Sequence, residues 1–136
     1  MIGILIIAHG ELGNSLIECA RHVLGKQPPQ LSYLAVHTND DPLDLLPKAR
    51  TLVNELDSGD GVIILSDIYG ASPCNLVTKL LESGRVAGVA GVNLPMLVRV
   101  MTYQKEPLSK VVSKAVSGGR DGVVSFTVSG CNHRES

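Results

Sequence analysis

Residues 61–75 read Gly61-Val62-Ile63-Ile64-Leu65-Ser66-Asp67-Ile68-Tyr69-Gly70-Ala71-Ser72-Pro73-Cys74-Asn75. They spell a buried strand, an acid, a glycine turn and the start of a helix. Four consecutive apolar residues after a glycine suit a central strand covered on both faces. Asp67 stands where the chain leaves the sheet. Ser72 is a preferred N-cap, and Pro73 a preferred first helical residue, because proline lacks only the N–H that the first turn leaves unpaired. The helix predicted over about 73–83 turns its free N–H groups back toward Asp67, and such an N-terminus attracts anions. A carboxylate beside an anion site calls for something cationic or protonated between the two. The chain offers His9, at the end of its first strand.

Working outward, the composition supports the same picture. The chain has 136 residues, 44% of them apolar, with no Trp and one Phe. That suits one α/β domain with a single sizeable core. A formal net charge of −1 argues against nucleic acid or an anionic membrane as the main partner. Cys19, Cys74 and Cys131 are odd in number and lack CxxC spacing, so they read as free thiols in a reducing compartment, with no metal site. Cys74 lies in the predicted helix start, but no second catalytic group is tied to it. The apolar run Ile4 to Ala8 is too short to span a membrane and no basic residue precedes it, so neither a signal peptide nor an anchor is expected. A cytoplasmic protein is the expectation.

Taken in order, Ile2 to Ala8 forms the first strand and His9 to Ser15 a glycine-containing turn. Leu12, Leu16, Cys19, Ala20, Val23 and Leu24 recur at helical spacing, with Gly25 as the stop. Leu31 to His37 is the second strand. Asp41-Pro42 opens a helix to about Leu56, with Pro47 tolerated near its start. Val86 to Val92 is a fourth strand. Asn93-Leu94-Pro95 starts a helix to about Tyr103, and a further one follows Pro107 to about Ser117. Gly118 to Gly122 reads as a turn and Val123 to Val128 as a last strand. The pattern predicts right-handed βαβ units and a doubly wound, mainly parallel sheet of four strands. Residues 1–130 make the domain and 131–136 a frayed tail. In such folds ligands gather at the carboxyl ends of the strands, where the strand order reverses. His9 and Asp67 meet there if strands one and three are neighbours.

Those residue types fit one chemistry. A neutral imidazole nitrogen is nucleophilic near pH 7, an aspartate can fix its tautomer, and backbone N–H groups can hold phosphoryl oxygens. No GxxxxGK[ST] loop is present, Gly10 and Gly13 are too fragmentary for a dinucleotide fingerprint, and Gly70-Ala71-Ser72 lacks the frame of a nucleophile elbow. An aspartate at the end of strand three suits a response-regulator receiver. That reading fails because the residues after strand one are Ala8-His9-Gly10, without the acids that hold magnesium. His22, His37 and His133 read as solvent-facing or structural.

Four stretches, Ile4 to Gly10, Asp67 to Asn75, Ala90 to Leu97 and Gly119 to Val123, resemble the enzyme IIA domain of the mannose-type phosphoenolpyruvate-dependent sugar phosphotransferase system (PTS) over residues 1–128. Ala71 departs from the glycine usual there. The resemblance implies a phosphotransferase in which His9 takes a phosphoryl group from the phosphocarrier HPr and hands it to a IIB domain. Asp67 orients the histidine, and Gly70, Ala71 and Ser72 hold the phosphate, without a cofactor. It also implies a homodimer whose C-terminal strand, Val123 to Val128, runs antiparallel in the neighbour's sheet. With no IIB domain or membrane segment in the sequence, two roles are open. One is a transporter subunit, touching the membrane only through its complex. The other is a regulatory module whose phosphorylation state controls a target. The related carrier that feeds dihydroxyacetone kinase ranks last.

Overall fold

The computed structural model describes residues 1–26 and 29–128. Among them the chain alternates strand and helix: β1 Gly3–His9, α1 Leu12–Leu24, β2 Leu31–Val36, a 3₁₀ turn Pro42–Leu45, α2 Leu46–Leu56, β3 Val62–Ser66, α3 Ser72–Thr78, β4 Val86–Ala90, α4 Leu94–Thr102 and α5 Leu108–Asp121. The sheet order is β2-β1-β3-β4, and every pairing between these strands is parallel. Strand order therefore reverses between β1 and β3, the two strands that end at His9 and just before Asp67.

The apolar runs of β1 and β3 alternate between two cores, as period-2 side chains require. Ile4, Ile6, Ile63 and Leu65 pack with Ala20 of α1, Leu97 and Val100 of α4, and Val111 and Ala115 of α5. Leu5, Ile7, Val62 and Ile64 face Ala49 and Val53 of α2 and Leu76 and Val77 of α3. Each fully buried aliphatic side chain contributes on the order of 1.5–3 kcal/mol. Helices on both faces make the sheet doubly wound, as predicted.

Three local expectations are corrected. The predicted helix 41–56 is divided at Leu46, because Pro47 has no N–H to continue a hydrogen-bonded run from the first turn; it stands at the start of α2, where none is needed. The helix after β3 stops at Thr78. The next N–H groups, of Lys79 and Leu80, bond three residues back to Leu76 and Val77, tightening the turn so that Leu80 joins the core. Gly118 and Gly119 are inside α5, not in a turn. A Cβ on Gly118 would stand 2.8 Å from Cβ of Arg99, and one on Gly119 2.8 Å from Cε of Met96. The pair serves close packing of α5 on α4. Residues 123–128, expected in a neighbour's sheet, add no strand to the protomer's own, and Val123, Phe126 and Val128 are exposed. Residues 131–136, with Cys131 and His133, lie outside the described residues.

Candidate functional site

The site is assembled at the reversal point of the sheet. His9 is the last residue of β1, and Asp67 follows the last residue of β3. The parallel register of those strands, Ile7 against Ser66, brings the two side chains together across the carboxyl edge. Nδ1 of His9 lies 2.7 Å from Oδ2 of Asp67, and the same oxygen accepts the backbone N–H of His9 at 3.0 Å. The other oxygen, Oδ1, accepts the N–H of Ile68 at 2.9 Å. One carboxylate thus holds the imidazole ring, the histidine's backbone and its own loop.

Burial pushes the Asp67 carboxyl upward, but the His9 amide, the His9 ring and the Ile68 amide outweigh it and hold the group below its ordinary value of 3.8. Asp67 is therefore a carboxylate near neutral pH. A carboxylate only accepts hydrogen bonds, so the Nδ1 that faces it carries the proton. In the neutral ring this leaves the lone pair on Nε2. The histidine side chain is 51% exposed, while that of Asp67 is 13% exposed. The carboxylate is covered and the imidazole is open to solvent.

The loop between β3 and α3 carries the other predicted residues. Gly70 has a φ of +87°, a left-handed conformation that glycine adopts without strain. Nothing lies within 4 Å of where its Cβ would be, so backbone shape and not space selects glycine. Ser72 is not the N-cap. Ala71 holds that position in extended conformation (φ −92°, ψ 176°), and Ser72 is the first helical residue. The chain enters the helix one residue early because the N–H of Asn75 already bonds to the carbonyl of Ala71, at 3.2 Å. No side-chain hydrogen bond caps α3. Cys74 follows in its first turn, half-buried.

Two features escaped the sequence reading. His37 sits one residue past Val36, the partner of His9 in the register, so it shares this edge; its N–H bonds to Asp40 Oδ2 at 2.8 Å. At the opposite edge, Asp57 accepts from Gly59 and Gly61 at 2.8 and 3.1 Å and from Nε of Arg85 at 2.8 Å. The D-S-G-D-G run at 57–61 was the available signal for that turn; its partner Arg85, 28 residues on, had none.

Comparison with known proteins points in one direction. The family model EIIA-man, described as PTS system fructose IIA component, matches residues 3–116. The chain is 30% identical over 125 residues to the PTS system mannose-specific EIIAB component of Escherichia coli (strain K12), covering 90% of this chain and 38% of that protein. It thus spans well under half the length of that relative. It is 26% identical over 106 residues to the PTS system fructose-specific EIIA component of Bacillus subtilis (strain 168), or 77% of this chain and 72% of the other. Among solved structures, a phosphotransferase system component EIIA from Streptococcus agalactiae superposes with a TM-score of 0.81 at 21% identity, covering 93% of this chain and 98% of its own. The mannose/sorbose specific IIA subunit from Enterococcus faecalis gives 0.82 at 16% identity, with 93% and 96% covered. At those identities the two structures speak for the fold alone.

Proposed function

This chain belongs to the EIIA-man family of PTS IIA components, and from that premise we propose that it is a cytoplasmic phosphocarrier with His9 as its phosphoryl acceptor. The observation that carries this reading is the 2.7 Å contact between Nδ1 of His9 and Asp67. It fixes the proton on one ring nitrogen and leaves Nε2 exposed with its lone pair. In the proposed step Nε2 attacks the phosphorus of phosphorylated HPr. The Nε2–P bond forms as the donor's N–P bond breaks, and the electron pair of that bond stays on the donor's nitrogen. As His9 gains positive character, the Asp67 carboxylate stabilises the Nδ1–H. Transfer to a IIB domain is the same step in reverse, with the acceptor as nucleophile. Gly70, Ala71 and Ser72 are the residues proposed to face the phosphoryl oxygens, through backbone N–H groups and the Ser72 hydroxyl.

The proposed assembly is a homodimer. Its support is the open edge of β4 beside an exposed apolar segment carrying Val123, Val124, Phe126 and Val128. An antiparallel exchange of that segment between protomers would cover both. Light scattering should give a dimer at micromolar concentration, and truncation after Asp121 should give a destabilised or insoluble protein. A stable monomer, truncated or not, would refute the exchange. No helix among the described residues is long and apolar enough to cross a membrane.

The test of the carrier role uses HPr, enzyme I and phosphoenolpyruvate. Intact mass should rise by one phosphate per chain for the wild type and not at all for His9→Ala. A His9→Ala protein that is labelled like the wild type would sink the assignment.

A further inference from the structure

Among the described residues, a cavity of about 400 Å³ opens at the amino edge of the sheet, between the end of α1 and the end of α4. That volume falls in the range of about 300–1,000 Å³ usual for small-molecule sites. Its wall is apolar, built from Leu24, Pro29 and Met101. Lys26 and Lys105, both exposed, also line it, and no acid does. Neither lysine has an ion-pair partner among the described residues; Glu106, next in the chain, pairs with Lys110. The Met1 ammonium, which borders the same space, is held by Asp60. A recess lined by one sign of charge concentrates the opposite sign.

The cavity has a polar group at its base. Gln104 lines it and is only 3% exposed. Its Nε2 donates both hydrogens, to the carbonyls of Ile2 at 2.8 Å and Pro29 at 2.9 Å. Two carbonyls can only accept, so this end of the amide is the nitrogen and the other end is the oxygen. No donor meets that Oε1 among the described residues. Clamping Ile2 and Pro29 explains the nitrogen; it leaves a buried side chain with an unused acceptor, where a partner is the rule.

We propose that this cavity binds a small amphipathic organic anion. Its apolar body lies against Leu24, Pro29 and Met101, its anionic group meets Lys26 and Lys105, and a hydrogen-bond donor on it reaches Gln104 Oε1. The site is separate from the phosphoryl chemistry. Ile2 precedes β1 and His9 ends it, so at roughly 3.3 Å per residue the two lie about 20 Å apart. The proposal therefore stands or falls independently of the carrier reading.

The experiment titrates the labelled full chain with anilinonaphthalene sulfonate, which has an aromatic body, a fixed negative charge and one N–H. Its uncharged counterpart, phenylnaphthylamine, serves as the comparison. In ¹H–¹⁵N correlation spectra the Gln104 side-chain amide and the backbone N–H groups of 101–105 should shift together and saturate. Lys26, Thr102 and Lys105 are exposed, so substitutions there leave the fold intact. Lys26→Gln with Lys105→Gln should weaken the sulfonate by about tenfold, the loss of two solvent-facing ion pairs, and hardly change the uncharged probe. Thr102→Trp should fill the cavity and abolish the shifts. Shifts that never saturate, or that centre on the exposed segment with Val123 and Phe126, would overturn the site. So would equal affinity for the two probes, or sulfonate binding by the double lysine variant within twofold of the wild type.

Discussion

Two aspartates, Asp67 at the carboxyl edge of the sheet and Asp57 at the amino edge, are held in nearly the same way. Each accepts two backbone N–H groups, His9 and Ile68 for one, Gly59 and Gly61 for the other. Each adds one basic side chain at 2.7–2.8 Å. The partner makes the difference. Arg85 is permanently charged and also bonds Glu82 and Asn54, so its edge becomes a latch between the turn before β3 and the turn before β4. His9 is half exposed and meets the carboxylate through Nδ1. The carboxylate geometry alone is neutral as to role. On the proposed reading, what turns one copy toward chemistry is an imidazole that faces solvent in place of a permanently charged guanidinium.

The largest effect should come from removing the charge at the reactive edge. Asp67→Asn should slow phosphoryl transfer by about a hundredfold in single-turnover kinetics while its urea midpoint stays near that of the wild type. An amide can touch the ring but can favour the wrong tautomer; in a Ser-His-Asp triad the same change costs about 10⁴-fold. A rate within twofold of the wild type would reduce Asp67 to a turn residue. Asp57→Ala should do the converse. Leaving two amides and a guanidinium without their acceptor should cost about 2 kcal/mol in urea unfolding, with the transfer rate per folded molecule unchanged.

A smaller effect should appear with acid. Both carboxyls lie below 3.8 in the folded protein. For Asp57 the Gly59 amide is the leading cause, against opposing burial, with the Gly61 amide and Arg85 adding to it. For Asp67 burial is foremost and works upward, but the contacts of His9 and Ile68 outweigh it. A depressed carboxyl contributes stability that is complete above its unfolded value and is lost as pH falls through the folded one. Stability should therefore decline below about pH 4, and Asp57→Asn should flatten that decline more than Asp67→Asn. Equal slopes in the two variants would contradict the contrast between the edges. The smallest effect belongs to Ser66, one residue before Asp67. Its buried hydroxyl has no hydrogen-bond partner among the described residues, so Ser66→Ala should change stability by less than about 0.5 kcal/mol or raise it slightly.

The contrast also shows what a single sequence can carry. The strand ends at His9 and Asp67 were readable because apolar runs of β1 and β3 stop abruptly at polar residues, and the alternation of strands and helices dictates a switch point. The Asp57 latch was not readable, since a turn residue and an arginine 28 positions later acquire a common address only through the β3–β4 pairing. Gly118 and Gly119 have the composition of a turn, yet the approach of Arg99 and Met96 from α4 demands their missing side chains. Ser72 and Pro73 gave a sound helix start displaced by one residue, because Ala71 in extended conformation takes the cap position without any side-chain bond. Local propensity located the elements; tertiary contact set their ends and the meaning of their glycines.

The central claim is that Asp67 fixes the His9 proton on Nδ1 and so directs the phosphoryl group to Nε2. A long-range ¹H–¹⁵N correlation spectrum of labelled protein, recorded near neutral pH before and after phosphorylation by HPr, reads both nitrogens directly. The expected result is a protonated Nδ1 and an unprotonated Nε2 in the free protein, then coupling to phosphorus at Nε2 alone. A free protein with its proton on Nε2, or phosphorus bound at Nδ1, would contradict the account.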